Sequence, residues 1–160
     1  VIYQSVDTPL GEFVVAGDGT CLKWGAFRRR SRAGRLPRDW TLDRKDPVLR
    51  ETTRQLERYF AKKLTRFDLP LDPDGTAFQQ RVWKKLCAIP FGTKKTYGDI
   101  ARALRKPAAF RAVGAANGQN PISIIVPCHR LVGHSGGLTG YGGGLDRKRA
   151  LLVHEGALPS

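Results

Sequence analysis

Thr96-Tyr97-Gly98-Asp99-Ile100-Ala101-Arg102-Ala103-Leu104-Arg105-Lys106-Pro107-Ala108-Ala109-Phe110-Arg111-Ala112-Val113-Gly114-Ala115-Ala116-Asn117-Gly118 sets the architecture of the C-terminal half. Thr96 and Asp99 stand at capping-box spacing and predict a helix from Tyr97 to Leu104, with Ile100, Ala101 and Leu104 facing inward. Pro107 suits the head of a second helix, Ala108 to about Ala116, which Asn117-Gly118 would end. Two short helices across a tight turn read as a helix-turn-helix, and spacing alone leaves an ordinary helical hairpin open. The second of these helices carries Ala108, Ala109, Ala112, Gly114, Ala115 and Ala116, with Arg111 its one long cation. Such a thin cylinder can lie deep in a groove of DNA, or let a neighbouring helix approach closely.

Upstream, Thr76 with Gln79 predicts a further capped helix whose apolar face is Phe78, Val82, Trp83 and Leu86, ended by Pro90. The first third reads as strands at Val1 to Val6, Phe13 to Ala16 and Cys21 to Phe27, broken by Thr8-Pro9-Leu10-Gly11 and Gly17-Asp18-Gly19, hence a small antiparallel sheet. Pro47 to Leu64 predicts one amphipathic helix against it, and Pro70 to Gly75 a linker. The six arginines between Arg28 and Arg38 read as an exposed loop. The division expected is an N-terminal α/β domain over 1–72 and a helical domain over 73–160.

Downstream, the apolar run Ile122-Ser123-Ile124-Ile125-Val126 reads as an extended strand that stops at Pro127-Cys128-His129-Arg130, where a thiol, an imidazole and a guanidinium meet. A thiol needs a base or a cation to become the reactive thiolate, and His129 and Arg130 could supply either. Neighbours on a strand point to opposite faces, so contact between Cys128 and His129 requires a turn or a bridging water. A buried, inert cysteine is the equal alternative at this point. The chain closes with the glycine-rich segment 136–145 and a helix capped by Asp146 that runs through Leu151 and Leu152 to His154-Glu155-Gly156. The glycine run lacks the Gly-Lys-Ser/Thr ending of a phosphate-binding loop.

Composition narrows the function. The 160 residues carry a net charge of +14. Residues 1–75 hold fifteen Lys and Arg against eleven Asp and Glu, a net of +4, whereas residues 76–160 hold thirteen against three, a net of +10. The second half is the one suited to a polyanion. Three scattered cysteines, Cys21, Cys87 and Cys128, argue against a disulfide scaffold and for a reducing compartment. No metal site is expected from their spacing with the three histidines, and no run is long and apolar enough for a membrane span. Val1-Ile2-Tyr3-Gln4 has neither the basic start nor the apolar stretch of a signal peptide, so a cytosolic or nucleoid protein is expected.

Tyr97-Gly98, Arg111-Ala112-Val113-Gly114, Asn120-Pro121, Pro127-Cys128-His129-Arg130, Tyr141-Gly142-Gly143-Gly144-Leu145 and His154-Glu155-Gly156 occur in the order found in O6-alkylguanine-DNA alkyltransferases, and from Thr76 to Gly156 the chain resembles that family. The N-terminal part agrees with it only in general character. The resemblance implies an α+β fold with an RNase H-like N-terminal domain built on a small antiparallel sheet, and a helical, winged-helix-like C-terminal domain with a helix-turn-helix. It implies a DNA repair protein that flips O6-alkylguanine, and O4-alkylthymine, out of duplex DNA and moves the alkyl group irreversibly to Cys128, once per molecule and without a cofactor. Flipping also follows from stacking, since an O6 substituent within a duplex cannot meet a protein sulfur in line.

By position, the resemblance makes Cys128 the acceptor, His129 its base through a water, and Glu155 the carboxylate that orients the imidazole. Asn120 would tie the turn before the acceptor, and Tyr97 would give a proton to the departing guanine. Arg111 would enter the stack, with Ala112, Gly114 and Ala115 against DNA. Tyr141 would be an apolar lid on a base pocket shared with Gly142, Gly143, Leu131 and Ser123. Relatives often carry serine at Gly142 and proline at Ser123, and the zinc ligands of some members are not recognisable here. The implied partner is double-stranded DNA with an alkylated guanine, met by a monomer able to load cooperatively, in the cytoplasm of a bacterium or archaeon or the nucleus of a eukaryote. Two rivals share features: a cysteine hydrolase using Cys128, His129 and Glu155, which leaves the basic half unexplained, and a helix-turn-helix regulator, for which an alanine-rich helix offers few groups for base readout. A lesion-binding module without the acceptor would lack Cys128.

Overall fold

The computed structural model describes residues 1–28 and 35–160, which form two compact units, Val1–Asp74 and Gly75–Ser160. In the first, β1 (Ile2–Thr8), β2 (Gly11–Gly17) and β3 (Leu22–Phe27) form an antiparallel meander, and β4 (Thr41–Leu42) pairs parallel to β1, giving the order β3-β2-β1-β4. The short fourth strand was not expected; two exposed residues carry no alternation to reveal it. Phe13, Val14, Val15 and Ala16 are all buried, so β2 is covered on both faces. Helix α1 (Pro47–Phe60) packs on β1 and β2 with Leu49, Leu56 and Tyr59 inward, and Asp46 caps it by accepting the Leu49 N–H at 2.9 Å.

Two expectations in this unit need correction. Helix α1 stops at Phe60 rather than Leu64, because Lys62 turns left-handed at φ 61° and the N–H groups of Lys62 and Lys63 close back on Tyr59 and Arg58. The segment from Pro70 is not a free linker at its start: Leu22 donates its N–H to the Pro70 carbonyl and accepts from the Asp72 N–H, and Lys23 reaches Asp72 and Asp74 at 3.0 Å. The arginine-loop expectation falls partly on residues 29–34, outside the described residues.

In the second unit, α2 (Ala77–Cys87) and α3 (Tyr97–Ala103) each begin with the capping box expected, Thr76 with Gln79 and Thr96 with Asp99. Lys95–Thr96 (β5) pairs parallel with Leu131–Val132 (β6). Pro107 opens only a single 3-10 turn, Pro107–Ala109, and α4 runs Phe110–Gly118, through the Asn117-Gly118 pair expected to end it. Asn117 is drawn inward, where its side chain has a buried partner, so its turn-forming habit is overridden. The final helix, α5 (Leu145–His154), is preceded by Gly144 at φ 95°; Asp146 lies inside its first turn and makes no capping bond. The α2–α4 and α3–α4 packing, with the Trp83 indole donating to the Ala116 carbonyl at 2.8 Å, fixes the helix-turn-helix on its support.

Candidate active site

The run Ile122 to Val126 is a series of buried turns and not a strand. Its backbone bonds are local, Ile125 N–H to Ser123 and Val126 N–H to Ile122, and Ile124 takes φ 67°, which a ladder would not allow. Asn120 holds this coil together. Its Nδ2 donates to the carbonyls of Val126 (2.9 Å) and Ile122 (3.2 Å), and its Oδ1 accepts the Ile122 N–H (3.0 Å).

The coil delivers Cys128 to the first position of a 3-10 turn, Cys128–Arg130, with the thiol residue only 5% exposed. Burial pushes the Cys128 thiol up, while hydrogen bonding from Asn120, the charge of Lys148 and the N–H groups of Cys128 and His129 pull the other way. The resting residue is therefore a protonated thiol surrounded by groups that favour its anion.

The turn also answers the steric objection to a Cys-His pair, since successive residues of a turn need not diverge. His129 is fully buried, with Nε2 2.8 Å from Oε2 of Glu155. Arg130 meets the same carboxylate, Nε to Oε1 at 2.8 Å and a second guanidinium nitrogen to Oε2 at 3.0 Å, and its other arm reaches the Ile89 carbonyl at 2.6 Å. The sequence allowed Arg130 as the cation beside the thiol; instead its guanidinium is committed to Glu155. Burial, aided by Arg130 and Lys148, holds the imidazole below its ordinary value against the pull of Glu155. A neutral ring that gives Nε2–H to the carboxylate leaves a lone pair on Nδ1, and that nitrogen is buried without a hydrogen-bond partner.

Asn117 and Lys148 add contacts around the acceptor turn, and Tyr97 meets the loop that Lys148 holds. Asn117, on α4, donates Nδ2 to the Cys128 carbonyl at 3.3 Å. Lys148, on α5, is fully buried and donates Nζ to the carbonyls of Leu131 (2.6 Å) and Thr139 (2.7 Å). Burial lowers its pKa to about 8. The Tyr97 hydroxyl lies 2.6 Å from Thr139 Oγ1, with its ring alongside Gly114 of α4. Asn117 and Lys148 were missed as site residues. Lys148 had a signal: with Leu151, Leu152 and Glu155 it falls on one helical face.

The other expected residues divide. Leu131 is buried beside the turn, and Ser123 is half-buried. Tyr141 is more than an apolar lid: its hydroxyl is buried, with the Ser123 side chain close enough to oppose the rise that burial gives the phenol but not in bonding geometry. Gly142 is exposed, and the Gly143 carbonyl accepts from Arg147 at 3.2 Å. On α4, Arg111, Ala112 and Ala115 face solvent, Gly114 is half-buried, and Val113, Ala116 and Asn117 face inward. The Arg111 guanidinium rests 5.8 Å from the ring centre of Phe110, itself exposed. Among the described residues, no group of three or more His, Cys, Asp and Glu is placed to hold a metal ion.

Residues 77–157 match the family model described as 6-O-methylguanine DNA methyltransferase, DNA binding domain, and residues 1–73 match the ribonuclease-like domain of the same family. The chain belongs to the 6-O-methylguanine DNA methyltransferase family. Relatives of this methyltransferase family agree along nearly the whole chain. The methylated-DNA–protein-cysteine methyltransferase of Methanosarcina barkeri is 49% identical over 153 residues, 96% of each chain. That of Mycobacterium tuberculosis is 50% identical over 154 residues, 96% of this chain and 91% of the relative. A crystal structure of a Mycobacterium tuberculosis family member in complex with DNA superposes with a TM-score of 0.87 at 48% identity, covering 100% of this chain and 96% of that one. The two-domain α+β architecture is thus the methyltransferase one, with the ribonuclease-like fold in the unit expected as an N-terminal α/β domain.

Proposed function

We propose that this chain repairs alkylated DNA by taking the alkyl group from O6 of guanine, and from O4 of thymine, onto its own Cys128. Helix α4 presents its thin exposed face to the duplex, and Arg111 fills the stack as the damaged nucleotide turns out. The observation that carries the reading is the buried His129, bonded through Nε2 to Glu155 and left with an open Nδ1 beside the acceptor turn. Through one water, Nδ1 takes the proton of the Cys128 thiol. Glu155 stabilises the imidazolium so formed, and Arg130 keeps that carboxylate ionised and fixed.

The thiolate then attacks the alkyl carbon. An S–C bond forms, the C–O6 bond breaks, and the electron pair stays with the guanine. Tyr97 gives its phenolic proton to the purine and recovers one from His129 through solvent, so the net transfer moves the thiol proton to guanine. The product thioether has no leaving group that the site could regenerate, which makes the protein single-use. No step calls for a cofactor. The reading places the protein, as a monomer on duplex DNA, in the cytoplasm of a bacterium or archaeon, or in the nucleus if its source is eukaryotic. Among the described residues no helix is long and apolar enough to cross a membrane.

The test is the intact and peptide mass after incubation with a duplex carrying one O6-methylguanine. One methyl on the Cys128 peptide, and none with Cys128→Ser although that variant still binds DNA, is the expected result. Transfer that survives Cys128→Ser would refute the assignment.

A further inference from the structure

Four of the thirteen cations of residues 76–160 gather at a place the chemistry above does not use. Arg81, Lys84 and Lys85 on α2, with Arg105 just beyond α3, line an open groove of about 480 Å³ floored by Ala103 and Leu104. None of the four cations takes part in an ion pair among the described residues. The three acids of this unit are elsewhere: Asp99 is paired with Arg102, Asp146 lies on α5, and Glu155 is buried against Arg130. Lys84 and Lys85 sit in the last turn of α2, where the helix dipole alone would favour them.

Arg105 has no such reason. It occupies the left-handed residue after α3, at φ 60°, in a closing motif where its N–H meets the Arg102 carbonyl and the Lys106 N–H meets the Ala101 carbonyl, both at 2.9 Å. Glycine is the residue suited to that backbone, and a side chain there is strained. Lys62 holds the same backbone in the N-terminal unit, so what sets Arg105 apart is its place in one groove with three other cations. Arg81 donates to the Leu104 carbonyl at 3.4 Å, which tethers its guanidinium at the same end of α3.

We propose that this groove binds DNA phosphates beyond those met by α4. The inference rests on the DNA-repair reading above. It extends the footprint to phosphates that belong either to the flanks of the same duplex or to a second one.

Lys62 supplies a matched control in the N-terminal unit, since it holds the same left-handed position after α1 at φ 61°. Full-length Arg105→Gly and Lys62→Gly proteins are compared for thermal midpoint and for the salt dependence of binding to a lesion-bearing duplex of about thirty base pairs. Relief of strain raises both midpoints by about 3 °C. Only Arg105→Gly flattens the plot of log affinity against log salt, by about 0.9 for each phosphate no longer neutralised, and adding Arg81→Ala flattens it again.

On a duplex of about ten base pairs, one turn, the difference from wild type disappears if the groove holds flanking phosphates. It returns with excess undamaged duplex if the groove holds a second one. A lower midpoint for Arg105→Gly, or a wild-type slope for the Arg81→Ala, Arg105→Gly pair on the long duplex, overturns the assignment. Methyl transfer by wild type in the same samples keeps that failure separate: without transfer the repair reading fails, and with it only the groove does.

Discussion

Replacing Lys148 by Met should abolish a pH dependence of stability that the wild type carries between about pH 8 and pH 10.5. The side chain is fully buried on α5 and bonded to two carbonyls, Leu131 and Thr139. Burial lowers its pKa from 10.5 to about 8, with Cys128 pulling weakly the other way. In the unfolded chain the amine keeps its proton up to about pH 10.5, whereas the folded protein gives it up near pH 8. Between those limits the unfolded state binds more protons, so stability rises with pH. Below pH 8 both states are charged and the folded one bears the whole penalty of a buried ammonium; above pH 10.5 both are neutral and the penalty is gone.

At 1.36 kcal/mol per pH unit the interval is worth about 3 kcal/mol. The neutral amine keeps two N–H groups, enough for both carbonyls, so deprotonation itself breaks no contact. Urea unfolding of wild type and Lys148→Met at about unit steps across this range gives the comparison, and tyrosines and cysteines away from Lys148 cancel in the difference. The wild type should gain about 3 kcal/mol on the variant as pH rises. Parallel stability curves would show that Lys148 is not buried as a cation, and the account of its place beside the thiol would fail with it.

Glu155→Gln removes the carboxylate bonded twice to the buried Arg130 guanidinium, so stability should fall by about 3–5 kcal/mol. Transfer should slow by about 100-fold or more because the imidazolium of His129 loses the carboxylate charge that stabilises it; urea unfolding and single-turnover kinetics read the two losses, and normal transfer in a folded variant would remove Glu155 from the mechanism. Arg111→Ala should slow repair of a duplex by about tenfold or more while leaving reaction with a free O6-benzylguanine base nearly unchanged, and equal losses on both would exclude a role in the stack.

Much of the fold was legible because its signals are local. The capping boxes at Thr76 and Thr96 each need one side chain three residues from another, and both form as read. Turn residues between short apolar runs likewise revealed the meander. The errors fall where a local signal was outvoted by tertiary contact. The apolar stretch Ile122–Val126 has the composition of a strand, yet the Asn120 amide and its own carbonyls take up backbone bonds that a ladder would need, and burial of the coil accounts for the isoleucines. Asn117 has the composition of a stop, yet a carbonyl eleven residues away claims its side chain and the helix continues.

The site was legible by a different route. Pro127-Cys128-His129-Arg130 advertised a thiol with helpers, but the partner of those helpers is twenty-six residues beyond His129 and twenty-five beyond Arg130, a separation that no periodicity spans. Glu155 entered through the family resemblance and not through its surroundings. A physical cue was nonetheless present. Lys148, Leu151, Leu152 and Glu155 follow one another by three, one and three residues, the spacing of a single buried helical face. Two opposite charges on such a face with two leucines between them cannot both be solvated, so each must meet a buried partner within the fold. Lys148 meets the carbonyls of the loop beside the thiol, and Glu155 meets the imidazole and guanidinium that follow it. The same apolar stripe that anchors α5 therefore positions both charges that surround Cys128. That dependence explains why a site assembled from distant segments rests on the packing of one short terminal helix.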